Sequence, residues 1–412
     1  MLTLHRASNP YPVHQPKVGL ALAGGGPVGA IFELGALRAL DEAIDGLRMH
    51  ELDVYVGVSA GGVIAASLAN GISTAEMCRI FMGHEHAQHS FEPEKLLQPA
   101  YGEYFQRAKS VPKILTDSLL NLIRDPAHAS VSRFIGALGN AMPSGIFDNE
   151  AVHEFLLNVF ESNNCTNDFR KLKRSLYVVA VDLDSGVAVR FGGKDFDDIP
   201  ISRAVQASAA LPGMYPPVKI GDRYFVDGAL RRTMHASVAL GAGADLVLGI
   251  NPLVPYDSSS TETDLTIPVR KLIQGGLPLI LSQTFRAMIQ SRMNVALEKY
   301  TRTHPGADIV LVQPHRGDEA IFFTNIFSFA SRRALCDHAY RKTRANLKQK
   351  AELIEPCLNR HGLSLNRTTL EDTDRSLLDS LNDSWFASTR TSRNLSQALD
   401  DLEWALSRRA VG

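Results

Sequence analysis

A serine flanked by glycines is the residue of this chain best placed to act as a nucleophile. Ser59 lies midway between Gly57 and Gly61, after an apolar run and before a segment of small residues. This order predicts a strand, a tight turn and a helix, with the serine on the turn. The two glycines leave room for a strained turn that exposes the hydroxyl at the carboxyl edge of a sheet, above the positive end of the helix dipole. The pattern therefore predicts nucleophilic chemistry at Ser59.

A glycine-rich loop upstream of this serine offers donors for a developing negative charge. The apolar run 18–23 predicts a strand buried on both faces, and it leads into Gly24, Gly25 and Gly26 and then into a helix. Consecutive glycines let successive N–H groups point at one oxygen, as an oxyanion hole or a phosphate cradle requires. Pro27 cannot donate but suits a first helical turn, so Gly25 and Gly26 are the expected donors.

The same glycines also match a dinucleotide-binding fingerprint, because Gly24, Gly26 and Gly29 have the spacing G-x-G-x-x-G. A ribose-binding fold requires an acidic residue at the end of the second strand, about 20 residues further on. Here the strand that begins at Asp53 ends at the serine turn instead. The sequence therefore favours an oxyanion loop over a nucleotide site.

An Asp-Gly pair follows another predicted strand, 223–226, and places Asp227 and Gly228 at the strand end. A carboxylate there can accept the proton of a serine hydroxyl, because its reference pKa of about 3.9 leaves it ionised near neutral pH. An isolated Asp-Gly pair usually marks only a turn. Its meaning here therefore depends on the other motifs.

Taken in order, the glycine triplet, the serine turn, the segment 208–218 and the turn that begins at Asp227 resemble the patatin-like phospholipase family. The resemblance covers about residues 17–253. In that family a serine and an aspartate form a two-residue catalytic site, a glycine-rich loop supplies the oxyanion hole, and the substrates are lipid acyl esters. The resemblance implies Ser59 as nucleophile and Asp227 as base. It assigns Gly24, Gly25 and Gly26 to the oxyanion loop, with Gly29, Gly57, Gly61 and Gly228 supporting the motifs.

One position departs from the family pattern. Val28 stands where the family often carries a basic residue before the last glycine of the loop. This loop therefore brings no positive charge to the oxyanion, and the head group of a lipid or phospholipid substrate is left open. Formation and hydrolysis of an acyl-serine need neither a metal nor a cofactor, so we expect none.

Three other interpretations remain open. An α/β-hydrolase with a Ser-Asp-His triad would use a histidine that follows the acid. A polyester (polyhydroxyalkanoate) depolymerase would use the same serine and aspartate. A lipid-binding or regulatory module would be expected to have lost one of these two residues, and both are present. The candidate triad histidines are His235, His304, His315, His338 and His361.

Short apolar runs predict further strands of a central sheet, with helical segments between them. These strands are 176–181, 187–191, 246–250 and 309–312. The alternation predicts an α/β fold, a three-layer α/β/α sandwich with a mixed central sheet of patatin-like type, plus a C-terminal helical extension. We expect a catalytic domain over residues 1–330 and the extension over residues 331–412.

The segment 84–142 is not required by these motifs and is predicted to be a helical insertion. It interleaves basic residues, among them Arg107, Lys109 and Lys113, with apolar ones. Such a stretch can contact a membrane surface or act as a lid, and it can also pad one end of the sheet. The membrane interpretation predicts that reversing these three charges slows hydrolysis of anionic vesicles more than hydrolysis of a soluble ester.

A long helix is predicted near residues 278–299. Its apolar residues form one stripe, which we expect to pack against the core or against a second subunit, so a homodimer remains open. The stripe consists of Leu281, Phe285, Met288, Ile289, Val295 and Ala296.

Composition favours a cytoplasmic enzyme, with a peripheral membrane location left open. The 412 residues are 45% hydrophobic, which is enough for a large core, and the net charge of −1 gives no overall attraction to nucleic acid. No run approaches the roughly 18 apolar residues of a membrane span. The four cysteines are scattered without metal or redox spacing, which predicts reduced thiols.

Overall fold

A nine-stranded mixed sheet organises the chain. The computed structural model describes residues 1–7, 11–82, 91–102, 104–105, 143–162, 165–257, 270–325 and 328–382. The strands are β1 (Leu2–His5), β2 (Val18–Leu22), β3 (Ile44–Asp45), β4 (Val54–Gly57), β5 (Ser175–Asp182), β6 (Ala188–Phe191), β7 (Val218–Ile220), β8 (Arg223–Asp227), β9 (Leu246–Ile250), β10 (Asp308–Val312) and β11 (Ser364–Leu365). The sheet order is β1-β10-β9-β2-β4-β5-β8-β7, β6 also pairs with β5, and β3 pairs separately with β11. Neighbouring strands from β10 to β5 are parallel, and the remaining strands pair antiparallel.

Helices cover both faces of this sheet. They are α1 (Gly26–Ala43), α2 (Ala60–Ala69), α3 (Thr74–Met82), α4 (Glu150–Ser162), α5 (Ile201–Ser208), α6 (Ala236–Gly241), α7 (Arg270–Gln274), α8 (Gly276–Thr303), α9 (Glu319–Phe322), α10 (Phe329–Gln349), α11 (Ala351–Arg360), α12 (Arg367–Glu371) and α13 (Leu377–Asn382). One core cluster joins a sheet face to α1, α2, α5 and α10, and a second joins the other face to α6 and α8. The predicted three-layer α/β/α fold with a mixed sheet is therefore confirmed.

Two strands end against the same edge of β5. Gly57, at the end of β4, lies opposite Val178, and Asp227, at the end of β8, lies opposite Ala180. Because β6 pairs with these same β5 residues along the other edge, β4 and β8 share one edge. They run in opposite directions, so their carboxyl ends meet. The sheet itself therefore brings the chain after Gly57 close to Asp227.

The segment beyond residue 330 packs closely on α1. A Cβ at Gly35 of α1 would lie 2.3 Å from the Cys336 carbonyl oxygen of α10, so this crossing requires a glycine. Tyr340 of α10 is fully buried, and its hydroxyl bonds to Glu42 of α1. The proposed domain boundary at residue 330 stays a prediction.

The structure differs from the sequence predictions in the packing of α8. The helix is confirmed, but most of the predicted stripe does not pack on the core. Leu281, Phe285 and Met288 are exposed, whereas Ala296 packs against the second core cluster. The opposite side of the helix, which carries Met293 and Leu297, covers the sheet instead. The insertion predicted at 84–142 lies outside the described residues except for 91–102 and 104–105. Within the described part of the chain, no helix is long and apolar enough to cross a membrane.

Candidate active site

Ser59 occupies a strained turn between β4 and α2. Its backbone angles are φ 53° and ψ −125°, a conformation that costs energy for a residue with a side chain. A Cβ at Gly57 would lie 2.5 Å from the Gly62 Cα, and one at Gly61 would lie 2.5 Å from the Ala23 carbonyl oxygen. Both glycines are therefore needed for the close packing of this turn. The predicted order of strand, turn and helix is confirmed.

Asp227 ends β8 with its carboxylate buried. One carboxylate oxygen accepts a hydrogen bond of 2.8 Å from the Ala229 N–H. Burial raises the pKa of Asp227 from 3.8 to about 6, and the Ala229 N–H and the nearby Ser59 hydroxyl oppose the rise. The group is therefore a stronger base than an ordinary aspartate.

The glycine loop lies beside the same serine, because β2 and β4 are neighbouring parallel strands. A Cβ at Gly24 would lie 3.1 Å from the Ser59 Cβ. The Gly24 N–H donates to the Thr233 carbonyl oxygen at 3.4 Å. Over the residues that the structure describes, the N–H groups of Gly25 and Gly26 have no protein acceptor. These two donors stand at the N-terminus of α1 and can bind an anionic oxygen.

The loop is held in place by Pro252, which follows β9. A Cβ at Gly25 would lie 2.7 Å from the Pro252 Cγ, and one at Gly29 would lie 2.9 Å from the same atom. Only glycine allows the loop and the first turn of α1 to approach this ring. The first turns of α1 and α2 contain no acidic residue, so no carboxylate there competes with a bound anion for the positive ends of the two helix dipoles.

Ser208 is a site residue that the sequence analysis did not identify. Its hydroxyl is fully buried, accepts a hydrogen bond of 2.8 Å from the Ser59 N–H and donates one of 2.6 Å to the Val179 carbonyl oxygen. Ser208 ends α5 and begins the segment 208–218 that carries part of the family resemblance. Its position in that segment is the sequence signal by which Ser208 could have been identified.

Glu33 in the second turn of α1 is a further buried acid close to the glycine loop. Neither carboxylate oxygen has a hydrogen-bond partner within the described ranges, and the side chain is fully buried. Burial raises the pKa of Glu33 well above its ordinary value. Burial therefore favours the uncharged form of this carboxyl group beside the loop.

The five candidate triad histidines have other partners. His235 lies nearest to the site, and its Nε2 is 3.4 Å from the Gly228 carbonyl oxygen. Burial lowers the pKa of His235 to about 4, so the ring is neutral. The remaining ring contacts are Thr303 for His304, Gly317 for His315, Asp318 for His338 and Asp308 for His361. Among the described residues, none of these five rings hydrogen-bonds to Ser59 or Asp227.

A second titratable cluster lies at the opposite edge of the sheet. Asp308, Cys357 and His361 are buried, and their ligand atoms lie within 4.8 Å of one another. The Asp308 carboxylate already accepts hydrogen bonds from the Arg360 guanidinium, the His361 ring and the Ala7 N–H. A cation would compete with the Arg360 charge for the same oxygens. We therefore interpret the cluster as an ion-pair network that ties α11 to β10.

One edge of the mixed α/β sheet thus brings together a serine, a buried carboxylate and a glycine loop. A family model for patatin-like phospholipase matches residues 20–240, which is more than half of the chain, and the chain belongs to this family. Membership of this family places the chain in the class of lipid hydrolases.

Three similar proteins are distant from this chain in sequence. The probable lipid hydrolase 463L of Invertebrate iridescent virus 6 is 20% identical over 239 residues, covering 58% of this chain and 69% of the relative. VipD from Legionella pneumophila gives a TM-score of 0.39 at 16% identity, covering 84% of this chain and 70% of VipD. The type III effector ExoU of Pseudomonas aeruginosa gives 0.29 at 15% identity, covering 90% of this chain and 68% of ExoU. Both TM-scores are below 0.5, so these structures do not extend the family match.

Proposed function

We propose that this chain is a serine lipid acyl hydrolase, of phospholipase A or lysophospholipase type, with Ser59 and Asp227 as its two catalytic residues. The observation that carries the proposal is the meeting of two strand ends on β5, where Gly57, two residues before Ser59, lies opposite Val178 and Asp227 lies opposite Ala180. A strained turn holds Ser59 at this edge. Its hydroxyl is close enough to the buried Asp227 carboxylate to lower the pKa of that group.

The first chemical step is attack by the serine. With a pKa of about 6, Asp227 is mostly ionised at neutral pH and accepts the Ser59 proton as Oγ attacks the ester carbonyl. The carbonyl oxygen becomes an oxyanion, which accepts hydrogen bonds from the Gly25 and Gly26 N–H groups. The intermediate then collapses to an acyl-serine. The alcohol part leaves with the proton that Asp227 had taken.

The second step restores the enzyme. Asp227 accepts a proton from a water molecule, and the hydroxide attacks the acyl carbonyl in the same oxyanion hole. Collapse breaks the bond to Oγ, releases the fatty acid and returns the proton to Ser59. An aspartate is a weaker base than a histidine, so the glycine loop and the dipole of α2 must supply much of the stabilisation.

The test measures kcat for hydrolysis of a soluble short-chain ester by variants that are each changed at one buried residue. We expect Ser59→Ala and Asp227→Asn to lower kcat by about 10⁴-fold, the loss seen when a nucleophile or its partner is removed. Ser67→Ala is the control, because the hydroxyl of this buried serine donates within α2, to the Val63 carbonyl oxygen. Circular dichroism checks that each variant is folded.

Three further measurements test the metal-free serine mechanism, and the last of them separates a dyad from a triad. A fluorophosphonate probe is expected to label Ser59, as read by peptide mass spectrometry, and EDTA is expected to leave the rate unchanged. His235→Gln is expected to keep most of the activity. A folded His235→Gln protein as inactive as Ser59→Ala would replace the dyad with a Ser-Asp-His mechanism.

A further inference from the structure

A row of large apolar side chains lies exposed on the N-terminal half of α8. Apart from the adjacent pair Ile280 and Leu281, successive members are three or four residues apart, so they share one side of the helix. The α8 apolar face, as we call it, consists of Leu277, Ile280, Leu281, Phe285 and Met288, with exposed fractions between 37% and 67%. Ile273 of the preceding helix α7 is also exposed. A contiguous exposed apolar surface of this kind marks an interaction site.

This face stands at the edge of the sheet that carries the candidate active site. The Gln283 side chain bonds to both the N–H and the carbonyl oxygen of Tyr256, at 3.0 and 2.8 Å. The Arg286 guanidinium donates to the Pro252 carbonyl oxygen at 3.4 Å. The Pro252 ring is the one that packs against Gly25 of the glycine loop. The N-terminal half of α8 is therefore anchored to the segment that supports the oxyanion donors.

Three exposed arginines lie between the α8 apolar face and the turn that follows Asp227. Arg292 follows Met288 by one turn of α8 and donates to the Leu230 carbonyl oxygen at 2.8 Å. Arg231 and Arg232 come shortly after Asp227 in the chain. Throughout the described ranges, no carboxylate lies within 4 Å of any of the three side chains to form an ion pair. Their charges are therefore available to an external anion.

A groove of about 410 Å³ lies between the end of β5, the turn that follows Asp227 and helix α8. Its lining residues are Val181, Gly186, Leu230, Arg231 and Arg292. The groove thus combines apolar walls with two guanidinium groups beside the turn that follows Asp227. Guanidinium groups bind phosphate oxygens with two parallel hydrogen bonds, so the lining suits a phosphate head group.

We infer that the α8 apolar face docks the protein onto a lipid surface and that Arg231, Arg232 and Arg292 bind the phosphates of anionic lipids there. The apolar side chains would enter the boundary between head groups and acyl chains, as amphipathic helices do. This inference rests on the proposed function, because the docked surface supplies the ester that Ser59 attacks.

Binding is measured in the Ser59→Ala background, so that no turnover is needed, by co-sedimentation with two kinds of vesicle. One contains phosphatidylcholine alone, and the other also contains phosphatidylserine. We expect Leu281→Ser/Phe285→Ser/Met288→Ser to weaken binding to both at least tenfold. We expect Arg231→Gln/Arg292→Gln to weaken binding at least fivefold only where phosphatidylserine is present, and this loss should shrink at high salt.

Two control variants lie away from this face. Leu353→Ser removes an exposed leucine of α11, and Arg48→Gln removes an exposed arginine before β4, at the opposite edge of the sheet. Both are expected to bind like the parent. In the active protein, the α8 substitutions should lower the ratio of vesicle hydrolysis to soluble-ester hydrolysis at least tenfold, whereas the controls should not.

Several outcomes would overturn this assignment. One is equal vesicle binding by the apolar triple variant and its parent. Another is a dimer, measured by light scattering, that the triple variant converts to a monomer without any change in vesicle binding, because the face would then serve self-association. A protein that docks through the α8 face but hydrolyses no ester would contradict the proposed function and leave the docking surface standing.

Discussion

The Ser208 hydroxyl lies 2.8 Å from the backbone nitrogen of Ser59 and accepts its hydrogen bond. The same hydroxyl donates to the Val179 carbonyl oxygen of β5, so one buried group joins the serine turn to the strand beside which β8 also ends. Ser208 therefore fixes the position of Ser59 relative to Asp227. It also occupies the Ser59 N–H, so the oxyanion donors that we propose are those of the glycine loop.

Ser208→Ala should therefore impair catalysis more than folding. Removing the hydroxyl leaves the Ser59 N–H and the Val179 carbonyl unpaired, at a cost of about 1–3 kcal/mol, and frees the turn to move. A displacement of about 1 Å can cost 10²-fold in rate, so we expect kcat on a soluble ester to fall by about 10–10²-fold. The rate of fluorophosphonate labelling at Ser59 should fall in parallel.

Ser67→Ala is the matched control for this substitution, since it also removes a buried serine hydroxyl but changes no contact to the turn. Thermal unfolding of both variants separates stability from rate. If Ser208→Ala retained the kcat and labelling rate of Ser67→Ala, Ser208 would have no positioning role.

The pH dependence of the rate should follow the ionisation of Asp227. The base acts only when deprotonated, and burial raises its pKa to about 6. We therefore expect kcat/KM for a soluble, uncharged ester to fall as the pH is lowered through about 6, and to be level above about 7. A profile that stays flat from pH 7 down to pH 5 would show that another group, or a carboxylate with an ordinary pKa, serves as the base.

The same raised pKa makes a prediction about stability. Protonated Asp227 is favoured in the folded state, so its contribution to stability is fully present below its ordinary pKa of 3.8 and is lost as the pH rises through about 6. Asp227→Asn keeps the shape and the acceptor for the Ala229 N–H but carries no charge. The variant should therefore be more stable than the wild type at pH 8, by about 2–3 kcal/mol for a shift of this size.

Urea unfolding at several pH values measures this difference. The stability advantage of Asp227→Asn should shrink as the pH falls from 6 to 4. An advantage that is the same at pH 4 and pH 8 would mean that it does not arise from the buried charge.

The parts of the site that the sequence predicts are those encoded by local patterns. The apolar runs predict β2 and β4, and the steric need for Gly57 arises within a few residues, from Gly61 and Gly62. The role of Ser208 could not be predicted, because its contact joins residues 149 positions apart. The orientation of α8 was missed for a related reason. Both sides of that helix carry apolar residues, and only the packing of Met293 on the sheet decides which side is exposed.

Short strands were also missed, because their patterns are too brief to stand out. β3 and β11 have two residues each, and β7 has three. Their pairing depends on partners distant in the chain. Glu33 shows a different limit, since a single glutamate within a helix gives no sign that it will be buried without a hydrogen-bond partner.

The glycine loop provides the sharpest steric prediction. A Cβ at Gly25 would lie 2.7 Å from the Pro252 Cγ and 2.9 Å from the Gly29 Cα, so Gly25→Ala must shift the loop and its donors. Since loss of one oxyanion donor typically costs about 10²–10³ in rate, we expect kcat on a soluble ester to fall by that factor. Gly241→Ala is the control, because the added Cβ at the end of α6 would meet no atom within 4 Å beyond its chain neighbours and its own helix backbone. Equal rates for the two variants, measured on folded protein, would place the oxyanion donors outside this loop.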